Sequence, residues 1–363
     1  MKADLRIKSV SARAVIVPLR RPLQTSTGAV TVAPLLLVDL KTDGGIVGRS
    51  YLFSISKIHL KPLAAVLEAM GELVKGEVVA PFDIEKKLRA RHTLLGVHNI
   101  VLFAMSAIDM CAWDALGQAL GRPVTRLLGG SPRSVLAYNS NGLGIQELKP
   151  LAKEAEQLVA DGFSAVKLRL GRPTAAGDID ALRAVKKAIG PKITLMVDFN
   201  QALSVAEAIR RGRMIDTEGG VLWIEEPIRA DDFAGCAKIA REVVTPIQIG
   251  ENFMGPEQMA QAIAAGCCDY VMPDAQRIGG VTGWMRAAAL AQGAGLEMSS
   301  HLFAEASCQL LAVTPTSHWL EYVDWADPVL EEPVRIEKGR VVGAASAGLG
   351  MTWNEKAVRK YAI

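Results

Sequence analysis

The 363-residue sequence predicts an α/β architecture: a closed barrel of parallel strands preceded by a smaller α+β domain. Three observations predict it. From about residue 134, eight short β-rich segments recur, each followed by a helical segment. The strand segments are apolar runs with little alternation, as expected when both faces are covered. Half of the residues are hydrophobic, ample for a large core, and the chain is too long for one ordinary small domain.

The N-terminal part reads as strands and then helices. Ala12–Pro18 has strand composition. Leu35–Leu40 and Ile46–Phe53 flank Thr42-Asp43-Gly44-Gly45, a hairpin signal. Between the first two strands, Leu19–Val32 is rich in small and polar residues, contains Gly28 and reads as a loop. A loop of that length is often functional. Leu60–Val74, Asp83–Leu95 and Ile100–Leu120 carry apolar residues at three- and four-residue spacing and are expected helices. Gly121-Arg122-Pro123 and Gly129-Gly130-Ser131-Pro132 close this domain, residues 1–130.

The barrel is expected over residues 131–325. Its strands are Val135–Asn139, Ala165–Leu170, Ile193–Phe199, Val221–Ile224, Ile247–Gly250, Tyr270–Pro273, Leu296–Ser300 and Trp319–Val323. Ala152–Ala160, Ala181–Ile189, Val205–Met214, Glu257–Ala265 and Thr282–Gly293 read as amphipathic helices between them. This alternation argues for parallel strands with helical crossovers. A doubly wound open sheet would need a Gly-rich phosphate turn after a strand, and none is present. The tail, 326–363, reads as short strands and turns that pack back on the N-terminal domain.

Composition excludes several classes. A formal net charge of +3 without clustered Lys/Arg falls short of a nucleic-acid footprint. The most apolar stretch, near Val32–Leu40, is broken by Pro34 and Asp39 and is too short to span a membrane. The N-terminus has no apolar run of the secretory kind, so a cytoplasmic protein is expected. The five cysteines (Cys111, Cys236, Cys267, Cys268, Cys308) are odd in number and follow no ligand spacing, as for reduced, mostly buried thiols.

The chemical signal lies at the strand ends. Seven of the expected strands run into ionisable residues at or just past their C-terminal ends: Lys167 and Arg169, then Asp198, Glu225, Glu251, Asp274, His301 and Glu321. In barrels that face carries the chemistry. Gathering so many charges at one mouth is costly unless a metal or substrate compensates. Asp198, Glu225 and Glu251 end three consecutive strands and form an arc of oxygen ligands, which favours Mg²⁺ over Zn²⁺. Lys167 and Arg169, two apart, share one strand face. His301 beside Asp274 reads as a general base whose tautomer the carboxylate fixes. Glu321 reads as a protonated acid able to donate a hydrogen bond to developing carboxylate charge, or as a partner of Arg277. An α-proton beside a carboxylate is weakly acidic, and a divalent cation with a hydrogen-bond donor stabilises the enediolate left by its removal.

The segments Val197-Asp198-Phe199-Asn200-Gln201, Trp223-Ile224-Glu225-Glu226-Pro227, Gly250-Glu251-Asn252, Met272-Pro273-Asp274-Ala275, Ile278-Gly279-Gly280-Val281-Thr282-Gly283-Trp284, Ser299-Ser300-His301-Leu302-Phe303 and His318-Trp319-Leu320-Glu321 resemble the mandelate racemase subgroup of the enolase superfamily. Ser50-Tyr51-Leu52-Phe53 and Ala112-Trp113-Asp114-Ala115-Leu116 extend the resemblance into the N-terminal part. It implies a modified TIM barrel, (β/α)₇β, under an N-terminal α+β capping domain. It also implies Mg²⁺ on Asp198, Glu225 and Glu251, and the Asp274–His301 dyad as base for one enantiomer of a 2-hydroxy acid. Lys167 would contact the substrate carboxylate and Glu321 would be the electrophilic acid. Asn200 and Ser140 match polar residues that stabilise the intermediate, and Leu19–Val32 would be a mobile lid placing Leu23, Thr27 and Val30, with Ile55, against the substrate. A symmetric homo-oligomer, dimer to octamer, acting on a small carboxylate is expected. Arg169 departs from the subgroup, whose second lysine there is the base for the other enantiomer. Arginine keeps its proton, so it clamps a carboxylate and makes a poor base. Racemisation or epimerisation is the first expectation, acid-sugar dehydration with His301 as sole base the alternative, and a non-catalytic anion-binding barrel the third.

Overall fold

The computed structural model describes residues 5–343 and 346–363. The first four residues of the N-terminal segment considered above lie outside the described residues. The capping domain opens with an antiparallel sheet of β1 (Ile7–Thr25), β2 (Gly28–Thr42) and β3 (Val47–Phe53), in that order. Three helices follow, α1 (Leu60–Val74), α2 (Pro81–His92) and α3 (Asn99–Leu120), then a single turn, α4 (Val124–Leu127). On α1 the residues Leu60, Leu63, Leu67, Met70 and Val74 recur at helical spacing and are buried. Gly48 lets β3 lie directly on α3, since a Cβ there would sit 2.0 Å from the Cys111 carbonyl oxygen. By length and composition α3 could cross a membrane, but 83% of its apolar window is buried, as in a core helix.

One expectation is corrected here. Leu19–Val32 is not a loop, because β1 and β2 pair through most of it, from Leu23↔Val30 to Thr25↔Gly28. Only Ser26 and Thr27 form the turn. The register shift between Pro18 and Leu23 is a bulge that accommodates Leu19–Pro22.

The barrel strands are β4 (Val135–Asn139), β5 (Ala165–Arg169), β6 (Thr194–Asp198), β7 (Ile224–Glu225), β8 (Ile247–Ile249), β9 (Tyr270–Val271), β10 (Glu297–Ser300) and β11 (Ser317–Tyr322). Every neighbouring pair is parallel, and β11 closes on β4 from Leu320↔Ala137 to Tyr322↔Asn139. The connections carry α5 (Leu148–Ala160), α6 (Ala175–Ile189), α7 (Val205–Glu218), α8 (Phe233–Glu242), α9 (Pro256–Ala264), α10 (Ala275–Ile278) with α11 (Gly280–Ala294), and α12 (Ala304–Leu311). Seven helical connections join eight strands, and the chain leaves β11 for the tail, which gives the modified TIM barrel (β/α)₇β.

Pleating sorts the strand residues. Val166, Leu168, Leu195, Val197 and Ile224 point outward into the core shared with the helices. Tyr138, Ala165, Met196 and Trp223 point inward and fill the barrel floor as a separate cluster. Two residues further along each inward face come Ser140, Lys167, Asp198 and Glu225. A packed floor therefore carries a polar layer directly above it.

The tail makes β12 (Arg335–Glu337), β13 (Arg340–Val342) and α13 (Glu355–Tyr361). β13 pairs antiparallel with barrel strand β4, while Trp353 Nε1 donates to Asp39 on β2 and Arg13 on β1 bonds Glu355 at 2.7 Å. The tail thus touches barrel and cap in turn. All five cysteines are free, and only Cys268 is not fully buried.

Candidate active site

The C-terminal ends of the barrel strands open into a cavity of about 210 Å³, roofed by the β1–β2 hairpin. Lys167, Arg169, Asp198, Asn200, Glu251, His301 and Glu321 all line it, as do the four residues expected from the cap, Leu23, Thr27, Val30 and Ile55. Glu225 and Asp274 lie directly behind the lining, and Ser140 stands behind Arg169. The backbone is unusual here. Among the described residues, eight non-glycine residues have positive φ, and six of them (Leu143, Asn200, Gln201, Glu226, Leu302, Phe303) follow barrel strands at this mouth. Such conformations persist only where surrounding structure enforces them, and they cluster at functional sites.

Lys167 is 1% exposed and stands at the centre of the carboxylates. Its Nζ lies 2.5 Å from Glu225 Oε1, 2.7 Å from Glu321 Oε1 and 3.1 Å from Asp198 Oδ2. Burial opposes its charge, but Glu225, Glu321 and Asp198 outweigh burial and hold its pKa well above the ordinary lysine value. Removing one partner from such a buried cluster strands the rest, a loss of about 3–5 kcal/mol.

Glu321 Oε1 also accepts from Ser140 Oγ at 2.7 Å, and its Oε2 accepts from the Leu302 backbone N–H at 3.1 Å. Burial disfavours its charge, yet Lys167 and His301 outweigh it and hold the carboxyl well below the usual range. Both Glu321 oxygens thus have donors in reach, Ser140 and Lys167 on Oε1 and the Leu302 N–H on Oε2. Glu321 makes no pairing with Arg277, whose guanidinium instead donates to Asn252 Oδ1.

His301 Nδ1 lies 2.6 Å from Asp274 Oδ2. The other oxygen, Asp274 Oδ1, accepts from the backbone N–H groups of Gln276 at 2.7 Å and Arg277 at 3.0 Å, capping α10. The carboxylate is thus fixed from one side and orients the imidazole on the other. His301 Nε2 faces the cavity, 3.4 Å from Glu251 Oε2 and 3.7 Å from Glu321 Oε2. Burial lowers the His301 pKa, but Glu251, Glu321 and the Asp274 hydrogen bond outweigh it and raise it to about 9.

Arg169 is 5% exposed. It donates from Nη1 to the Gly142 carbonyl and from Nη2 to Ser140 Oγ, both at 2.9 Å. Asn200 donates from Nδ2 to Asp198 Oδ2 at 3.0 Å, and its Oδ1 is buried without a partner.

The resemblance implies a divalent cation, and the donor set fits one. Asp198, Glu225 and Glu251 offer only oxygen, the choice of hard cations. As they stand, no three His, Cys, Asp or Glu side chains among the described residues converge on one point, and the Lys167 ammonium supplies the positive charge between Asp198 and Glu225. Negative charge is in surplus. Burial, with Asp198, Glu321 and Glu251 outweighing Lys167, pushes Glu225 up to about 8, and burial with Glu251 raises Glu226 well above its ordinary value. Added positive charge relieves that surplus.

Several lining residues were not among the expected site residues: Gln201, Glu226, Asn252 and Trp325, with Arg277 expected only as a partner of Glu321. Glu226 accepts from Asn252 Nδ2 at 2.6 Å and from Gln201 Nε2 at 3.1 Å, which links the loops after β6, β7 and β8. The signal that marks these three is position one beyond a strand-end ligand or its neighbour, as in Glu225-Glu226, Asn200-Gln201 and Glu251-Asn252.

Comparison with known proteins matches this picture. Residues 150–357 match the Enolase C-terminal domain-like family, and residues 7–129 match the Mandelate racemase / muconate lactonizing enzyme, N-terminal domain family. A crystal structure of an enolase from alpha proteobacterium bal199 with bound Mg superposes with a TM-score of 0.97 at 43% identity, covering 99% of this chain and 100% of that one. An enolase from Bradyrhizobium, complexed with magnesium and mandelic acid, gives a TM-score of 0.96 at 41% identity, with 100% of both chains covered. The L-talarate/galactarate dehydratase of Salmonella typhimurium is 31% identical over 98% of this chain and 90% of its own length. With both domains matched and the strand-end constellation in one cavity, this chain belongs to the mandelate racemase / muconate lactonizing enzyme family of the enolase superfamily.

Proposed function

We propose that this protein is a Mg²⁺-dependent enzyme that removes the α-proton of a small 2-hydroxy carboxylate, with His301 as the base. The observation that carries the reading is the dyad, with Nδ1 held by a doubly anchored Asp274 and Nε2 presented to the cavity. A proton kept on Nδ1 by the carboxylate leaves Nε2 to accept one in the neutral imidazole, and a cation held by Glu251 would offset the charge that raises the His301 pKa and so favour that neutral form. Asp198, Glu225 and Glu251 would hold Mg²⁺, which when bound supplies positive charge against the negative charge growing on the substrate carboxylate. Lys167 and Arg169, on one strand face, would steady the carboxylate group, and Asn200 Oδ1 would accept from the 2-hydroxyl. The Mg-bound neighbours at 43% and 41% identity support the metal.

The enediolate then has two fates. Reprotonation from the opposite face gives the other enantiomer and needs a second base. Loss of a 3-hydroxyl as water gives an enol that tautomerises to a 2-keto acid, and one base suffices. Arg169, tied to Gly142 and Ser140, favours the second fate, and the dehydratase at 31% identity supports it. The apolar wall of Leu23, Val30, Phe53, Ile55, Val323 and Trp325, with the mandelic acid complex of the Bradyrhizobium neighbour, favours racemisation of an aryl hydroxy acid.

One experiment separates the readings. The Mg²⁺-supplemented protein is incubated in D₂O with a panel of aryl 2-hydroxy acids and aldonic and aldaric acids, and NMR follows α-deuterium and 2-keto acid. His301→Asn is expected to lose about 10²–10⁴-fold in whichever signal appears. No exchange and no keto acid across the panel, or full activity in the variant, would overturn the reading.

A further inference from the structure

The loop that carries Asp274 is also bonded to the capping domain. Gln276 is 2% exposed, and its side-chain amide makes two hydrogen bonds with one residue of the cap. Phe53 N–H donates to Gln276 Oε1 at 2.8 Å, and Gln276 Nε2 donates to the Phe53 carbonyl at 3.2 Å. Phe53 is the last residue of β3, which lies at the edge of the three-stranded sheet. Across β2 it faces Leu35, so its own N–H and C=O project from the free edge. Gln276 satisfies both, as a further strand would. The backbone N–H of the same Gln276 donates to Asp274 Oδ1 at 2.7 Å. One residue therefore touches the dyad carboxylate with its main chain and the cap with its side chain.

What it holds is a wall of the cavity. Phe53 and Trp325 both line the pocket, with ring centroids 5.1 Å apart and planes tilted by 50°. We propose that Gln276 is a positioning residue that locks this wall to the base-bearing loop, so that a substrate packed on Phe53 and Trp325 presents its α-carbon to His301. The positioning role rests on the α-proton abstraction proposed above. Gln276 touches no reacting atom, and its effect passes through Phe53. A wall that shifts by a fraction of an ångström misplaces only substrates large enough to lean on it, and misplacement on the ångström scale costs up to about 10²-fold.

The test uses the full-length Mg²⁺-supplemented protein with Gln276→Met, which keeps the volume and removes both amide bonds, and Gln276→Glu, which keeps the acceptor alone. Two readouts run together. The first is α-proton exchange in D₂O of lactate, too small to reach the wall, and of mandelate. The second is amide hydrogen exchange of the peptide spanning residues 50–56, read by mass spectrometry. The expected result for Gln276→Met is a loss of about tenfold or more in kcat for mandelate with KM little changed, lactate within about threefold, and lost protection at Phe53. Gln276→Glu is expected to fall between the two. Equal loss for both acids, or unchanged amide protection, overturns the proposal. If the wild type exchanges neither acid nor any other of the panel, the functional reading fails on its own. The clamp is then judged by amide exchange, where unchanged protection refutes it.

Discussion

Lys167 and Arg169 stand two residues apart on one strand face, yet their surroundings prepare them for different work. Lys167 is ringed by three carboxylates, whereas Arg169 bonds a carbonyl and a hydroxyl. A lysine in place of Arg169 would put a titratable amine beside a fixed cation in a buried site, and both circumstances lower an amine pKa. Arg169→Lys is therefore expected to gain deuterium in the opposite enantiomer of a 2-hydroxy acid, measured by chiral chromatography after incubation in D₂O. No gain would show that the missing second base is not what separates this site from a two-base one. The strand-end residues were legible in the sequence because parallel register and pleating leave little freedom. Once Ala165 and Met196 face inward, Lys167 and Asp198 must as well. Glu226 and Gln201 were not legible, for a physical reason. They sit just past the ladder with φ of 37° and 64°, where alternation no longer says which way a side chain points.

The arm of β1 and β2 shows the same limit for whole elements. Its sequence is small and polar, without strand alternation, and it reads as a loop because its order comes from pairing with the other strand rather than from local composition. The short helices α10 and α13, of four and seven residues, are likewise too brief for periodicity to register. Most of the longer helices and the barrel strands were visible, with boundaries off by a few residues, but α8 and α12 were not among the helices read from the sequence. The arm roofs the cavity with Leu23, Thr27 and Val30, and its tip is fastened to the barrel where Ile145 N–H donates to the Gln24 carbonyl at 2.7 Å. A proline within a paired strand removes a ladder hydrogen bond and is disfavoured away from edges and bulges. Val30→Pro breaks the arm beside Leu23 while leaving the barrel untouched. It is expected to raise KM about tenfold or more with a melting temperature within a few degrees of the wild type, an effect of about 1.4 kcal/mol on binding. Steady-state kinetics beside thermal melts followed by circular dichroism check this, and an unchanged KM would remove the arm from the binding site.

At the scale of the molecule, cap and barrel are joined by buried polar contacts as well as by apolar packing. Asp109 on α3 accepts from the backbone N–H of Thr282 at 3.0 Å and from its hydroxyl, and Trp113 Nε1 donates to the same hydroxyl at 3.0 Å. Burial pushes the Asp109 carboxyl up to about 7, against the Thr282 hydrogen bonds. A carboxyl raised on folding contributes stability that is full below its unfolded value near 4 and lost as pH rises through about 7. Asp109→Asn does not titrate, so its stability relative to wild type is expected to improve between pH 5 and pH 8. Asp109→Ala leaves the Thr282 N–H unpaired and is expected to cost about 1–3 kcal/mol at either pH. Urea unfolding midpoints test both, and a pH-independent difference for the Asn variant would refute the assignment. The Lys167 cluster carries a consequence for how the molecule forms. Its partners arrive from β6, β7 and β11, so the ionic knot spans the chain from residue 167 to residue 321. It cannot be complete until β11 docks on β4 and the ring shuts. Contacts this distant in sequence are among the slowest to form. Barrel closure and maturation of the mouth are thus one kinetic event, because an open ring leaves Lys167 with Asp198 and Glu225 but leaves Glu321 without its ammonium.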